Sequence, residues 1–318
     1  MKLRVVFMGT PAFAVPSFEA LADAHEMIAV VTQPDRPQGR GLALTAPPIK
    51  IAAQRRGIPV FQPDRIRSAP AVVETLTRLA PDLIAVVAFG QILPQSVLDI
   101  PRLGCVNLHA SLLPKHRGAA PIQWALIRGA IETGVTLMKM DAGMDTGPML
   151  LARATPIAPD ETATGLAIRL AALGAPLWEE ALDQVAAGAL TPVPQISSEA
   201  TLAPRLTQAD GEVRWGDPAW AIFNRWRGVT LWPGTSAFHE GRRWKITRLA
   251  VGRDAGVLGA PGEILRLTDD GLEVAAGAGY IVVQEMQPEG GRKMTPRTYA
   301  AGHPIRLKTM FTQQRGAP

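Results

Sequence analysis

The sequence contains a single cysteine, Cys105, among 318 residues, so the chain cannot form an internal disulfide. This scarcity fits a reducing compartment and predicts a cytoplasmic protein. No apolar stretch approaches the roughly 20 residues of a membrane span, and residues 1–7 begin a short strand rather than the apolar run of a secretion signal. Cys105 itself lies in an apolar strand pattern, which favours a small packing residue over a nucleophile.

Several cofactor and nucleophile motifs are also missing. The turn Gly9-Thr10-Pro11 lacks the three spaced glycines of a dinucleotide fingerprint and the Gly-Lys-Ser/Thr of a phosphate loop. No Gly-x-Ser-x-Gly elbow occurs, and no unit of about 20 to 50 residues repeats. These absences exclude both nucleotide-loop interpretations of the first turn and a serine-hydrolase elbow.

The composition and the length predict a globular chain of two domains. Hydrophobic residues make up 47% and charged residues 19%, and 318 residues exceed what one ordinary core holds. Residues 1–206 contain 18 Lys and Arg against 17 Asp and Glu, whereas residues 207–318 contain 15 against 11. Most of the net charge of +5 therefore lies in the last third. Two interpretations of this basic charge stay open: binding of an anionic partner such as RNA, and a modest arginine excess on a solvated face.

Alternating strands and helices predict a parallel sheet in the first domain. Strand 3–8, helix 16–24 and strand 27–32 form a crossover unit, which pairs strands in parallel. The run 82–89 is almost continuously apolar, as in a strand covered on both faces. The other predicted elements of this domain are helices 49–56, 69–79, 120–128 and 162–187 and strands 59–62, 135–140 and 149–152.

The pattern changes after the long helix. Residues 188–206 are poor in charge and contain Pro192, Pro194 and Pro204, which predicts a linker. Short strands separated by Gly and Asp-Gly turns follow at 244–251, 262–267, 272–276 and 280–286, and they predict a small β-barrel. We therefore divide the chain into a catalytic domain of residues 1–187, a linker of residues 188–206 and a barrel domain of residues 207–318.

A long connection rich in Pro and Gly spans residues 33–50 and carries Arg36 and Arg40 near its tip. Loops of this length inside a compact domain are usually functional or disordered. Two interpretations stay open, a mobile surface loop and a basic finger that orders against a phosphate backbone.

The most polar strand end lies in residues 104–118. Asn107 and His109 are two residues apart in a predicted strand, so their side chains leave one face while Leu108 points to the other. A second apolar run ends at residue 140 and precedes a polar loop that contains Asp145, whose carboxylate can reach the same sheet edge. Asn107, His109 and Asp145 are thus a candidate active site.

These residue types favour one kind of chemistry. The amide donates hydrogen bonds, the imidazole gains or loses a proton near neutrality, and the carboxylate orients or supports the imidazolium. No protein nucleophile stands beside them, since Ser111 only begins a Ser-Leu-Leu-Pro turn. Direct attack of a substrate amine on a carbonyl fits best, with Asn107 and His109 stabilising the oxyanion. The alternative is a core histidine with polar residues at strand ends.

Eight short motifs are spread over almost the whole chain: 6–11 (VFMGTP), 32–37 (TQPDRP), 87–90 (VAFG), 107–114 (NLHASLLP), 117–122 (RGAAPI), 134–138 (GVTLM), 144–147 (MDTG) and 232–234 (WPG). Together they resemble the methionyl-tRNA formyltransferases. The Asn, the His-x-Ser-Leu-Leu-Pro and the Asp are shared by all folate-dependent formyltransferases, whereas RGAAP and QPDR are more particular to the tRNA enzymes.

The resemblance implies a Rossmann-like α/β domain with a parallel-rich sheet that binds 10-formyltetrahydrofolate, followed by a small OB-like β-barrel that binds methionyl initiator tRNA. It implies formylation of the methionyl α-amine for translation initiation, with Asn107, His109 and Asp145 as catalytic residues. It implies no metal, no membrane and no obligate protein partner. The implied tRNA contacts are Arg36 and Arg40. The implied folate-binding residues are Ser111, Leu112, Leu113, Pro114, Phe89, Gly90 and Ile92.

The chain departs from the family pattern in two places. Leu42-Ala43-Leu44 stands where related enzymes often carry lysines, and Pro148 replaces a common acidic residue. Three hypotheses follow: a tRNA formyltransferase, a formyltransferase for a small amine such as an amino sugar or nucleotide precursor, and an RNA-binding protein with an inert Asn-His-Asp set. The basic last third and the Arg-bearing loop favour the first, because a small amine needs neither.

Overall fold

The computed structural model describes residues 2–38, 43–187, 189–253, 256 and 258–312. The chain divides into two units. The first comprises Met1–Pro121, Glu132–Ile157 and Gly165–Pro204, and the second comprises Ile122–Ile131, Ala158–Thr164 and Arg205–Pro318. Within the described ranges, no helix has both the length and the apolar character needed to cross a membrane.

The first unit is built on a seven-stranded sheet of order β5-β2-β1-β6-β7-β8-β9. Its first five strands pair in parallel, and β8 and β9 add antiparallel strands at one edge. A separate hairpin joins β3 to β4. The strands of this unit are β1 (Arg4–Gly9), β2 (Glu26–Val31), β3 (Arg36–Gln38), β4 (Ala43–Thr45), β5 (Val60–Phe61), β6 (Leu83–Val87), β7 (Cys105–His109), β8 (Glu132–Lys139) and β9 (Met149–Pro156).

Helices cover this sheet, which explains why its central strands are apolar on both faces. Every residue of β6 is buried, as the continuous apolar run predicts. Proline occupies the first turn of α1, α2 and α3, where the lost N–H costs nothing. The helices of this unit are α1 (Val15–Ala24), α2 (Pro48–Arg55), α3 (Pro70–Leu79), α4 (Gln95–Leu98) and α6 (Ala163–Ala186), with short 3₁₀ helices at Ala12–Ala14, Ile66–Ser68 and Ser197–Glu199. Helix α5 (Pro121–Ile127) lies mostly in the second unit.

The long connection over residues 33–50 contains a hairpin that the sequence analysis did not predict. Arg36 pairs with Thr45 across β3 and β4. At its base, Asp35 accepts hydrogen bonds from Gln62 at 2.7 Å and from Lys50 at 2.7 and 2.9 Å. The Gln62 hydrogen bond and the Lys50 ammonium lower the pKa of the Asp35 carboxyl. Arg36 is exposed on the hairpin, whereas Arg40 lies outside the described residues.

Residues 189–204, within the predicted linker, are hydrogen-bonded to the first unit. Val193 exchanges two backbone hydrogen bonds with Met149 at 2.8 Å. The Arg117 N–H donates to the carbonyl of Thr201, and the Ala203 N–H donates back to the carbonyl of Arg117. The domain boundaries at 187 and 206 stay predictions. The segment between them forms backbone hydrogen bonds through Val193, Thr201 and Ala203.

The second unit is a six-stranded antiparallel sheet of order β12-β13-β14-β11-β10-β15. Its two edges meet, because Ile264 N–H donates to the Thr309 carbonyl at 2.9 Å and Phe311 N–H donates to the Gly262 carbonyl at 2.8 Å. The fold class is thus confirmed as a Rossmann-like domain followed by a barrel-like domain. The elements are α7 (Ala219–Gly228), α8 (Pro296–Ala300), a 3₁₀ helix (Gln208–Gly211), β10 (Thr235–His239), β11 (Arg242–Val251), β12 (Ile264–Leu267), β13 (Leu272–Ala275), β14 (Tyr280–Pro288) and β15 (Phe311–Thr312).

An aromatic cluster fills the barrel around Trp244, which is fully buried. Phe311, Tyr299 and His239 contact its indole with ring centroids 4.9 to 5.6 Å away, in edge-to-face geometry. The Nε2 of His239 lies 2.9 Å from Oγ1 of Thr309, whose own hydrogen goes to the carbonyl of Arg306. His239 Nε2 is therefore the donor in this hydrogen bond.

His239 is expected to make the second unit sensitive to acid. Burial lowers the pKa of His239 below its ordinary value of 6.5, so the unfolded chain binds a proton that the folded chain resists. Stability should therefore fall as the pH drops through about 6.5 toward 5. Thermal unfolding of the full chain measured across this range should show a shallower loss of stability for His239→Gln, which still donates to Thr309 but does not titrate.

His303→Gln, at an exposed histidine of the same unit, is the control. Equal acid sensitivity in wild type and His239→Gln would contradict this account.

Candidate active site

The polar residues of β7 leave the strand as the alternation predicts. Leu108 is buried on one face, where it lies so close to Gly174 of α6 that a Cβ on the glycine would overlap its side chain. Asn107 and His109 project on the opposite face. His109 is the last residue of β7, so its imidazole stands at the carboxyl edge of the sheet.

The two ring nitrogens of His109 have different surroundings. Nε2 lies 2.9 Å from the carbonyl oxygen of His116, which can only accept, so Nε2 carries a hydrogen. Nδ1 lies 3.7 Å from Oδ2 of Asp145, beyond hydrogen-bond length but within ion-pair range. The ring is 6% exposed. Nδ1 is therefore the ring nitrogen that faces the Asp145 carboxylate.

Asp145 is held in the loop between β8 and β9. Its Oδ2 accepts a hydrogen bond from the N–H of Gly118 at 2.8 Å. Its φ of 54° lies in the left-handed region, which strains a residue that is not glycine. Gly147 allows the loop to close, because a Cβ there would overlap the carbonyl oxygen of Lys139. The carboxylate of Asp145 is thus fixed by its surroundings rather than by local preference.

Asn107 presents an amide beside this pair. Its backbone pairs with Val86 of β6 and Met138 of β8, which fixes the direction of its side chain. The side chain is half-buried and forms no hydrogen bond to another described residue. An amide with unused donors next to an imidazole is suited to bind an oxygen on which negative charge develops.

The Ser-Leu-Leu-Pro turn after β7 is stabilised from within. Ser111 is completely buried, and its Oγ donates to the carbonyl of Lys115 at 2.6 Å. Thr136 of β8 donates to the Ser111 carbonyl at 2.7 Å and accepts from the Leu113 N–H at 3.2 Å. Leu113 is buried, whereas Leu112 and Pro114 are half-buried. The polar groups of Ser111 thus shape the turn, and Leu112 and Pro114 are its accessible apolar surface.

The turn after β6 carries the other three predicted folate residues, Phe89, Gly90 and Ile92, in different surroundings. The Phe89 side chain is only 2% exposed and packs in the core, while its carbonyl accepts from Thr10 Oγ1 at 3.1 Å and Gln33 Nε2 at 3.2 Å. Gly90 turns the chain with a φ of 82°. Ile92 is 79% exposed. The backbone of Gly90 and the side chain of Ile92, rather than the Phe89 ring, are available to a ligand.

Arg117 and Gln195 support the site, and neither role was predicted. The guanidinium of Arg117 donates from Nε at 2.9 Å and from a terminal nitrogen at 2.8 Å to Oε1 of Gln195. The Gln195 Nε2 donates to the carbonyls of Asp145 at 2.9 Å and Gly147 at 2.7 Å. The only signal for Arg117 was its place in the RGAAPI motif, and no sequence pattern marked Gln195.

Two other possible functional features are accounted for. Cys105 is buried, and burial raises the pKa of its thiol to about 12, so it is not a thiolate at neutral pH. Across the part of the chain that the structure describes, no group of three His, Cys, Asp or Glu side chains is arranged to hold a metal ion.

A Rossmann-like sheet that carries Asn107 and His109 at the end of β7, with Asp145 facing His109, fits a group transferase, and the family comparison gives the class as formyl transferase. Two family models agree: "Formyl transferase" matches residues 1–182, and "Formyl transferase, C-terminal domain" matches residues 205–304.

Two curated relatives are similar over nearly their whole length. The methionyl-tRNA formyltransferase of Geobacter sulfurreducens is 52% identical over 301 residues, which are 94% of this chain and 94% of the relative. That of Trichlorobacter lovleyi is 48% identical over 309 residues, or 97% and 96% of the two chains. This chain belongs to the methionyl-tRNA formyltransferase family, as its motifs predict.

Solved structures share the fold at low identity. The N-formyltransferase of Helicobacter canadensis, in complex with folinic acid and dTDP-3-aminofucose, superposes with a TM-score of 0.68 and 16% identity over 88% of this chain and 98% of that chain. HypX of Aquifex aeolicus, in complex with tetrahydrofolic acid, gives 0.65 and 17% over 99% of this chain and 51% of that one.

Proposed function

We propose that this chain transfers the formyl group of 10-formyltetrahydrofolate to the α-amine of methionyl initiator tRNA. The observation that carries the proposal is the placement of His109 and Asp145, with Nδ1 and Oδ2 3.7 Å apart, in a chain about half identical to methionyl-tRNA formyltransferases over nearly its full length. The product, formylmethionyl-tRNA, serves translation initiation. A cytoplasmic location belongs to the same proposal, because charged tRNA is found there.

The three candidate catalytic residues have separate roles in this proposal. The Asn107 amide donates to the formyl oxygen as the substrate amine attacks the formyl carbon. Protonated Nδ1 of His109 supplies a second donor, and its other nitrogen keeps the ring in place through the His116 carbonyl. Asp145 stabilises the imidazolium by its charge and helps to move the proton that the attacking α-amine loses to N10 of the folate, which leaves as its bond to the formyl carbon breaks.

The chain offers surfaces that fit a folate co-substrate. Folate supplies the formyl group, and its ring system needs apolar contact and backbone hydrogen bonds. Ile92 and the Gly90 backbone are accessible after β6, and Leu112 and Pro114 are accessible after β7. Because β6 and β7 are parallel neighbours, both turns lie at the same sheet edge. We therefore assign folate contacts to these four residues, with Ser111, Leu113 and Phe89 supporting the turns from below.

Positive charges on each unit are available for tRNA phosphates. Arg36 is exposed on the β3–β4 hairpin, and we keep Arg40 as a second contact on the strength of its sequence position. On β11, Trp244 and Ile246 point into the barrel, while Arg243, Lys245 and Arg248 are exposed. A strand with one apolar and one cationic face suits binding to a phosphate backbone.

Loss of Arg36 or Lys245 is expected to weaken tRNA binding in a salt-dependent way. Each lost phosphate contact should reduce the slope of log affinity against log salt by about 0.7 to 0.9. The measurement is tRNA affinity at several salt concentrations for Arg36→Ala and Lys245→Ala. Arg78→Ala is the control, because Arg78 is exposed in the last turn of α3, which leads to the amino end of β6, opposite the active-site edge. An unchanged slope in both test variants would remove these residues from the tRNA surface.

One activity assay with two alternative acceptors tests the proposed function against the small-amine alternative. The intact chain is incubated with 10-formyltetrahydrofolate and either charged initiator tRNA or an amino sugar nucleotide, and the formylated product is measured by mass spectrometry. We expect turnover on the tRNA and none above background on the sugar. Preference for the sugar would overturn the proposal in favour of a small-amine enzyme.

A further inference from the structure

We infer that Gln195 is a positioning residue that holds Asp145 in its productive geometry. This inference rests on the proposed function and deepens it. Gln195 lies in the segment between the two predicted domains, 50 positions after Asp145 in sequence. Its side chain bridges Arg117 and the Asp145 loop through four hydrogen bonds of 2.7 to 2.9 Å.

Arg117 fixes which way the Gln195 amide points. A guanidinium can only donate, so its two hydrogen bonds require the amide oxygen of Gln195 on its side. The NH₂ group then faces the other way, toward two carbonyls that can only accept. A flipped amide would lose all four hydrogen bonds. Arg117 is itself 9% exposed, so its side chain has little freedom to release the glutamine.

The Asp145 loop needs such an external support. Asp145 has a φ of 54°, in the left-handed region, which costs a non-glycine residue free energy even though aspartate tolerates it better than most. Gln195 binds the carbonyls of Asp145 and of Gly147, and so it anchors the loop on the residue itself and two positions beyond it. With both carbonyls fixed, the carboxylate is directed to the N–H of Gly118 and to Nδ1 of His109.

The same contacts connect the carboxylate to the imidazole through a closed ring. The carbonyl of His116 accepts from His109, the next residue is Arg117, and the one after it is Gly118, which donates to Asp145. Gln195 joins Arg117 to the backbone of Asp145 and closes the ring. The distance between Nδ1 and Oδ2 is therefore held by hydrogen bonds to which Gln195 contributes from outside the two catalytic loops, as Thr201 does by accepting from the His116 N–H at 2.9 Å.

The test uses two variants of the intact chain. Gln195→Ala removes every contact, and Gln195→Glu keeps an acceptor for Arg117 but loses the donors to the two carbonyls. Both should lower kcat for formyl transfer roughly 10- to 100-fold, the effect of displacing a catalytic group by about 1 Å, with KM values for tRNA and folate within about threefold. Gln195→Glu keeps the pairing with Arg117, and thermal unfolding should show that both variants remain folded at the assay temperature.

Two further readouts separate positioning from folding. Amide hydrogen exchange of a peptide covering residues 141–147 should accelerate at least about 10-fold in both variants, while that of 83–87 in β6 stays constant. Ser198→Ala, at an exposed position three residues further along the same segment, should leave kcat and exchange unchanged.

The outcomes distinguish this inference from the proposed function. Failure of wild type to formylate methionyl-tRNA would reject the function, and the exchange of the Asp145 loop would still decide the role of Gln195. A wild-type rate in Gln195→Glu, or unchanged exchange of residues 141–147 in both variants, would overturn the inference.

Discussion

His109→Ala should lower kcat for formyl transfer by roughly two to four orders of magnitude, which is the usual contribution of a positioned acid or base. The variant loses the donor at Nδ1 and the charge that Asp145 faces at 3.7 Å. Folate binding should largely survive, because no folate contact is assigned to the imidazole. Single-turnover rates at saturating tRNA, together with a folate titration, measure the two effects separately.

The neighbouring amide provides a matched comparison for this prediction. Asn107→Ala should slow the same step by roughly 10²- to 10³-fold through loss of an oxyanion donor. Because the two residues act on one oxygen, the double variant should be less impaired than the product of the single effects. A near-normal single-turnover rate in His109→Ala would remove the imidazole from the mechanism.

Asp145→Asn is expected to cut kcat roughly 100-fold or more while the loop keeps its shape. The amide oxygen of asparagine can still accept from the Gly118 N–H, so the contact at 2.8 Å has a substitute. What disappears is the negative charge beside Nδ1, and with it the support for the imidazolium. The measurement is kcat from about pH 5 to 9, where the profile of Asp145→Asn should differ in shape from that of wild type because the charge beside the imidazole is gone.

Gly118 allows a control for that experiment. Gly118 has a φ of 123°, and a Cβ there would press against the carbonyl of Ala203, so Gly118→Ala should move the N–H donor without removing the Asp145 charge. If Asp145 acts through its charge, Gly118→Ala should lower kcat and preserve the shape of the pH profile. An unchanged profile in Asp145→Asn would show that the carboxylate neither charges nor orients His109.

Much of the fold was predictable because its strands are apolar in simple patterns. β6 is a continuous apolar run and β7 alternates, and both form as predicted. The β3–β4 hairpin was not predicted, because prolines and glycines dominate its sequence and its base depends on Lys50 and Gln62, which are distant in sequence. Helix α7 was also missed, since its polar and aromatic residues lack a clear apolar stripe.

The candidate site was predictable to the extent that its residues follow strand ends. Asn107 and His109 come from one strand, so their spacing alone places them on one face. Asp145 was predicted from the end of β8, but β8 runs antiparallel to β7 and ends opposite Val106, so the carboxylate reaches His109 through the loop that follows β8 rather than from a shared strand end. Gln195 could not be predicted, because a neutral amide in a Pro-rich segment has no periodicity or charge to mark it, and its partners appear only when the loops are folded.

The division of the chain between the two units has a consequence for synthesis on the ribosome. Most of α5 belongs to the second unit, where Ile127 packs so closely on Gly228 that a Cβ there would overlap it. Gly228 is translated about 100 residues later, which at about 5 to 20 residues per second leaves an interval of roughly 5 to 20 s. During that interval Ile127, which is buried in the finished protein, lacks Gly228 of α7, the residue against which it packs. The nascent chain is therefore expected to expose apolar side chains of α5, and ribosome-associated chaperones should bind it until the second unit is complete.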